Sequence, residues 1–170
     1  MEENMNFKTQ TNFLRRGTGV ILLFMAVMFL SAKTADEERK IVSVVKQFFT
    51  VLELRDAALA KEILIPEGVY FSIREKGNDA LVKNSNFQEF IYSLPNSKEN
   101  YKEIMRNPKV LIHGRIAVLW ANYTFYRNGK FSHCGVDAFS LLKTKNGWKI
   151  AGIIYTIEKT DCGKFTKPKK

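Results

Sequence analysis

From Val110 onward the chain alternates. Apolar, aromatic and β-branched residues recur in runs of strand length, Val110 to Ile112, Ile116 to Tyr126, Phe131 to Lys143 and Trp148 to Glu158, as the two-residue period of a half-buried strand demands. Asn128-Gly129 and Asn146-Gly147 separate these runs, and His113-Gly114 separates the first two; such dipeptides supply the positive φ angles of tight hairpins. A four-stranded curved antiparallel ribbon follows. The pattern before it is helical. Ile41, Val44, Val45, Phe48, Phe49 and Leu52 recur at three- and four-residue steps, an apolar stripe fit to pack on a sheet. A short second helix over Ala57 to Leu64 is ended by Pro66 and Gly68, and Val69 to Ile73 makes a first strand. Gly77 to Asn86 is polar and reads as a loop. Phe87, Phe90, Ile91 and Leu94 form a third helix, and Asn96 to Asn107 reads as a polar link with a partly helical Tyr101 to Met105.

The expected fold class is therefore α+β, a curved antiparallel sheet packed against three N-terminal helices. In 170 residues there is room for one good core plus appendages. Lys8, Arg15 and Arg16 precede an apolar run from Val20 to Leu30 closed by Ser31-Ala32, the layout of a secretory signal peptide and shorter than the roughly 20 residues a bilayer span needs. The expected organisation is a signal peptide over 1–32, a domain over 33–162 and a disordered basic tail over 163–170, with the product exported to the periplasm or secreted. The net charge is +10. Its cations are scattered among acids or gathered in the tail, not aligned in a stripe, so no nucleic-acid partner is expected, and membrane contact only through the signal segment.

Candidate chemistry concentrates on the ribbon. If Asn128-Gly129 is a two-residue turn, Thr124 faces His133, Asn122 faces Gly135 and Trp120 faces Asp137. One face then carries Trp120, Asn122, Thr124, His133, Asp137 and Phe139, aromatic bulk with convergent polar groups of the kind that lines a small-molecule pocket, and Tyr70 on the first strand joins it. Asp137 can equally be a buried, satisfied structural carboxylate, and His133 a rim or structural residue. The opposite face, with Leu119, Ala121, Tyr123, Cys134, Val136 and Ala138, is small and apolar, which leads us to expect a homodimer through it. His, Cys, Asp and Glu lack ligand-like spacing, so neither a metal nor a cofactor is expected. With Asn146-Gly147 as a two-residue turn, Cys134 opposes Lys159, leaving Cys162 roughly 10 Å further along, so a Cys134–Cys162 disulfide requires the chain to double back near Gly163.

The order of elements, with FSHCGVDAFSLLK and NGWKI followed by YT, resembles the nuclear transport factor 2-like superfamily over Asp36 to about Cys162. More narrowly it is similar to the SnoaL-like branch and to bacterial proteins labelled lumazine-binding. The resemblance implies a cystatin-like cone of helices and curved sheet around a pocket, in a superfamily that holds isomerases, dehydratases, cyclases and non-catalytic binders. In ketosteroid isomerase a carboxylate base works with a tyrosine and a protonated aspartate. Asp137 is similar in place to that aspartate, while Ser72-Ile73 stands where the base is expected and Phe48-Phe49 near the tyrosine. The implied function is binding of a small hydrophobic or planar ligand. The alternatives are an isomerase, dehydratase or cyclase using Asp137 as acid, and a non-catalytic dimeric interaction module.

Overall fold

The computed structural model describes residues 34–160, 162 and 163. The expected signal segment lies outside them, as does the tail from 164. The chain divides into two compact units, Met1–Glu37 and Glu38–Lys170, and the architecture below is that of the second. Helix α1, described from residue 34 to 54, buries the stripe Ile41, Val45, Phe48, Phe49 and Leu52. It stops where Arg55 takes a left-handed φ of 57°. Helix α2 (Ala57–Ile63) starts at once, because the Asp56 carboxylate accepts the backbone N–H groups of Ala58 and Leu59 at 3.0 and 2.9 Å, satisfying donors that the first turn leaves free.

Strand β1 (Leu64–Lys76) turns at Gly77 into β2 (Asp79–Asn86), so the segment expected as a loop is an edge strand. Its alternation is hidden because both faces are largely exposed. Asn86 then caps helix α3 (Phe87–Ser93), accepting from Glu89 N–H at 2.7 Å, and a single 3-10 turn covers Leu94–Asn96. Strands β3 (Tyr101–His113), β4 (Ile116–Arg127), β5 (Lys130–Thr144) and β6 (Gly147–Thr156) complete a six-stranded sheet in the order β2-β1-β6-β5-β4-β3. The residues expected to be partly helical, Tyr101 to Met105, are the start of β3. The sheet is mixed, since β1 runs parallel to β6. Their pairing jumps between Leu64 and Val69, a bulge that absorbs Pro66, which has no N–H to give a ladder.

The expected register of the ribbon needs correction. Asn128 and Gly129 both have positive φ, 52° and 75°, the mark of a type I′ turn, and Arg127 pairs with Lys130 as anticipated. Two residues further the ladder shifts. Tyr126 pairs with Phe131 but Phe125 pairs with His133, leaving Ser132 as an extra residue on β5. One inserted residue turns every later pair over by one position. Asp137 therefore opposes Ala121 and not Trp120, and Phe139 opposes Leu119.

The core forms where α1 and α3 cover one face of the sheet. Phe139 meets Phe48 and Phe49 edge-on at ring separations of 5.8 and 6.0 Å. Phe90 lies 5.8 Å from Phe48 and 6.0 Å from Tyr70. Such aromatic pairs add about 0.5–1.5 kcal/mol each beyond area burial. Here they fix the helices over the sheet.

Candidate functional site

Between those helices and the sheet lies a cavity of about 700 Å³, within the range of small-molecule sites. Phe48 and Leu52 of α1, and Phe87 and Phe90 of α3, form its roof. Its floor comes from the strands: Tyr70, Glu103, Tyr123, Phe125, Asp137, Phe139, Ile153 and Tyr155. Alternation explains the choice. Tyr123 and Phe125 on β4 sit beside Gly135 and His133 on β5, and Glu103 on β3 pairs with Phe125, so these side chains project to one side of the pleat.

Of the seven residues the sequence proposed, four line the cavity: Tyr70, His133, Asp137 and Phe139. Trp120, Asn122 and Thr124 do not, a correction that follows from the bulge at Ser132. They alternate with Ala121, Tyr123 and Phe125 of the inner face, the last two of which line the cavity. Trp120 is half-exposed on the outer face, and Thr124 is buried opposite Cys134. The outer face differs accordingly: Leu119, Ala121 and Tyr123, expected there, belong to the inner one, whereas Cys134, Val136 and Ala138 are paired with outer residues as expected.

Glu103 lines the cavity too, although sequence reading did not single it out. Its carboxyl lines the cavity with that of Asp137, close enough for each to act on the other's charge. Both resist ionisation. Burial, and then the Asp137 charge, pushes Glu103 well above the usual carboxylate range, and burial raises Asp137 to about 7, with the Glu103 hydrogen bond opposing the rise. The cause is that a lone charge is poorly solvated in an apolar site and two like charges repel. Asp137 is 3% exposed and its Oδ2 has no hydrogen-bond partner in the protein. The neighbouring groups are neutral. Tyr123 donates its hydroxyl to the Thr156 carbonyl at 2.6 Å and resists ionisation through burial. Burial also raises Tyr155, opposed by its contact with the Ser72 hydroxyl. His133 stacks on Phe125 at 4.8 Å, and burial, then the Lys159 charge, lowers its pKa.

The mouth is held by polar contacts. Arg127 clasps Glu99 through two hydrogen bonds of 2.8 and 2.6 Å, while Asn128 donates to the same carboxylate at 2.6 Å. Arg55 donates to the carbonyls of Ser97 and Glu99 at 3.2 and 3.4 Å. Cys134 and Cys162 form a disulfide with Cα atoms 5.8 Å apart. The chain does double back: Glu158 and Cys134 exchange backbone hydrogen bonds of 2.9 and 2.8 Å, and the turn beyond brings Cys162 over the outer side of β5.

A helix-roofed sheet with a polar floor defines the class of architecture, an α+β ligand-pocket fold. It is the nuclear transport factor 2-like fold, also called cystatin-like. A nuclear transport factor 2-like superfamily protein from Salmonella enterica serovar Typhimurium matches with TM-score 0.60 and 14% identity over 75% of this chain and 95% of that one. A like protein from Cytophaga hutchinsonii gives 0.57 and 12%, over 69% and 94%. Another from Novosphingobium aromaticivorans, described as having a cystatin-like fold, gives 0.57 and 12%, over 99% of both chains. No family model and no curated protein matches the sequence. At these identities the likeness establishes the fold and leaves function to the site.

Proposed function

We propose that the chain is an exported domain that binds a small, largely apolar ligand in the cavity. The observation that carries this reading is a space of about 700 Å³ with aromatic walls and one polar spot, the Glu103–Asp137 pair, able to orient what enters. The sequence of the first 32 residues supports export, and the disulfide suits an oxidising compartment. N-terminal sequencing of the protein from its native host is expected to begin at residue 33. A homodimer is supported by the outer sheet face, where Leu111, Val118, Trp120 and Ile154 of β3, β4 and β6 are 75, 41, 52 and 58% exposed. Trp120→Glu is expected to dissociate it in sedimentation equilibrium.

The binding reading is tested by thermal shift against planar apolar compounds, since a ligand at a hundredfold its Kd stabilises by about 2.7 kcal/mol. Tyr101→Ala, which removes a wall residue, is expected to shrink the shift, and Trp120→Ala to preserve it. The reverse outcome would sink the site. A second reading, an isomerase, dehydratase or cyclase, is favoured by one observation. Glu103 supplies the second carboxyl that an acid–base mechanism with Asp137 as acid requires, and an acid raised to about 7 by burial, as Asp137 is, suits that work. Turnover of an enolisable substrate that falls about 100-fold or more in Glu103→Gln would establish it.

A further inference from the structure

We infer that the ligand of this cavity is an apolar amine, its ammonium group held by the Glu103 and Asp137 carboxyls. This rests on the binding reading above and adds the ligand's chemical class. Three observations carry it. Asp137 Oδ2 is a buried acceptor without a partner in the protein, on a residue that lines the cavity. Such an atom lacks a donor, and an ammonium group brings three. The second carboxyl, Glu103, lines the same cavity and the two repel when both are charged, so the pair loses its internal repulsion once a cation lies between or beside the two.

The third observation is the absence of a competing cation at the floor among the described residues. The arginines that line the cavity are engaged at its mouth, Arg127 with Glu99 and Arg55 with the Ser97 and Glu99 carbonyls. β1 contributes Tyr70, β3 Tyr101, β4 Tyr123 and β6 Tyr155, and burial holds the last two further from ionisation. β5 adds His133, whose charging is opposed by burial and by Lys159. Beyond β6, Glu158 adds negative potential felt at Tyr123. From α1 and α3 come the rings of Phe48 and Phe90. An anion is repelled at this floor, and the aromatic faces favour a cation further.

The proton balance is simple. The ammonium ion enters already protonated and its N–H groups donate to the carboxylates. A carboxyl that is protonated beforehand gives its proton to the buffer, so one proton is released and no other bond changes. Burial and mutual repulsion keep that proton bound near neutrality. Affinity for an amine therefore rises with pH while the pair is still protonated, by up to about tenfold per unit.

The test uses the full-length protein and three probes of one shape, 2-naphthylmethylammonium, 2-naphthylmethanol and 2-naphthoate, in isothermal titration at pH 6 and pH 8 in two buffers of different ionisation enthalpy. The ammonium probe is expected to bind at least tenfold tighter than the alcohol at pH 8, to tighten from pH 6 to 8, and to release a proton; the naphthoate is expected to bind weakest. Asp137→Asn and Glu103→Gln should erase the preference while the alcohol still binds, which shows that the cavity is intact. Alcohol binding equal to or tighter than ammonium binding would overturn the inference alone. If none of the three binds, the binding reading falls with it.

Discussion

The two faces of β5 share one strand and have opposite characters. Gly135, Asp137 and Phe139 look into the domain, the last two 3 and 1% exposed. Their neighbours Cys134, Val136 and Ala138 belong to the outer side, where Trp120 and Ile154 flank Ala138 in the ladder. The inner face is a packed wall ending in a carboxyl pair. The outer one is an apolar surface stapled at one end by a disulfide. What separates them is register: the extra residue Ser132 decides which of β4's two faces stands beside Asp137. Had the ladder run without it, Trp120 would have met the acid.

That contrast predicts unequal costs. Phe139→Ala opens a hole among Phe48, Phe49 and Leu119 and is expected to cost about 3–5 kcal/mol in urea denaturation. Trp120→Ala, on the half-exposed outer side, should cost the monomer less than about 1 kcal/mol. Equal losses would mean the two faces are not distinct in the way described.

The carboxyl pair sharpens the comparison through pH. Raised pKa values in the folded state mean that the native protein binds more protons than the unfolded chain between about pH 4 and 7. Stability is thus full below the unfolded value and is lost as pH rises through the folded one. For Asp137, going from 3.8 to about 7, the change is worth on the order of 4 kcal/mol. Melting temperature should fall across that window. Glu103→Gln should flatten the fall and leave the variant more stable than the parent at pH 8; a parent curve flat from pH 4 to 8 would contradict the buried pair.

On the outer side the corresponding tie is the Cys134–Cys162 bridge, closing a loop with sequence separation 28. Its loss in Cys162→Ser is expected to cost about 2–4 kcal/mol, mostly through the unfolded chain. Ligand affinity should change little, because Cys134 lies opposite to the cavity. A collapse of binding on reduction would show that the C-terminal segment shapes the cavity directly.

Much of this was legible in the sequence, for physical reasons that differ by residue. The helical stripe of α1 and the Asn128-Gly129 turn announce themselves through periodicity and positive φ, and Asp137 stood out as an acid within an apolar run. The bulge did not, since Ser132 is neither glycine nor proline and nothing local marks it as unpaired. Glu103 was hidden in a polar edge strand. Its signal was the two-step alternation Tyr101, Glu103, Met105, opposite Arg127, Phe125 and Tyr123, masked by the charged residues between them and by Asn107-Pro108 beyond. β2 was missed for the same reason: an edge with two wet faces has no hydrophobic period to read.

The smallest effect tests how tightly the inner face is built. Gly135 sits where a side chain should point into the domain, and the Tyr123 ring occupies that space on its way to the Thr156 carbonyl. A Cβ there would meet the Thr156 backbone carbonyl oxygen first, and would lie 2.7 Å from the Thr156 hydroxyl and 2.9 Å from Tyr123 Cε1, closer than packed atoms tolerate. The Thr156 hydroxyl also accepts from Val136 N–H at 3.0 Å, so it cannot retreat without loosening the strand. Gly135→Ala is therefore expected to cost about 1–3 kcal/mol by overpacking, and to weaken ligand binding by displacing Tyr123 beside the carboxyl pair. Val136→Ala, one residue along and facing outward, should weaken binding less. If Gly135→Ala is as stable as the parent and binds as well, then the ring does not lie across the glycine and the floor of the cavity is built differently.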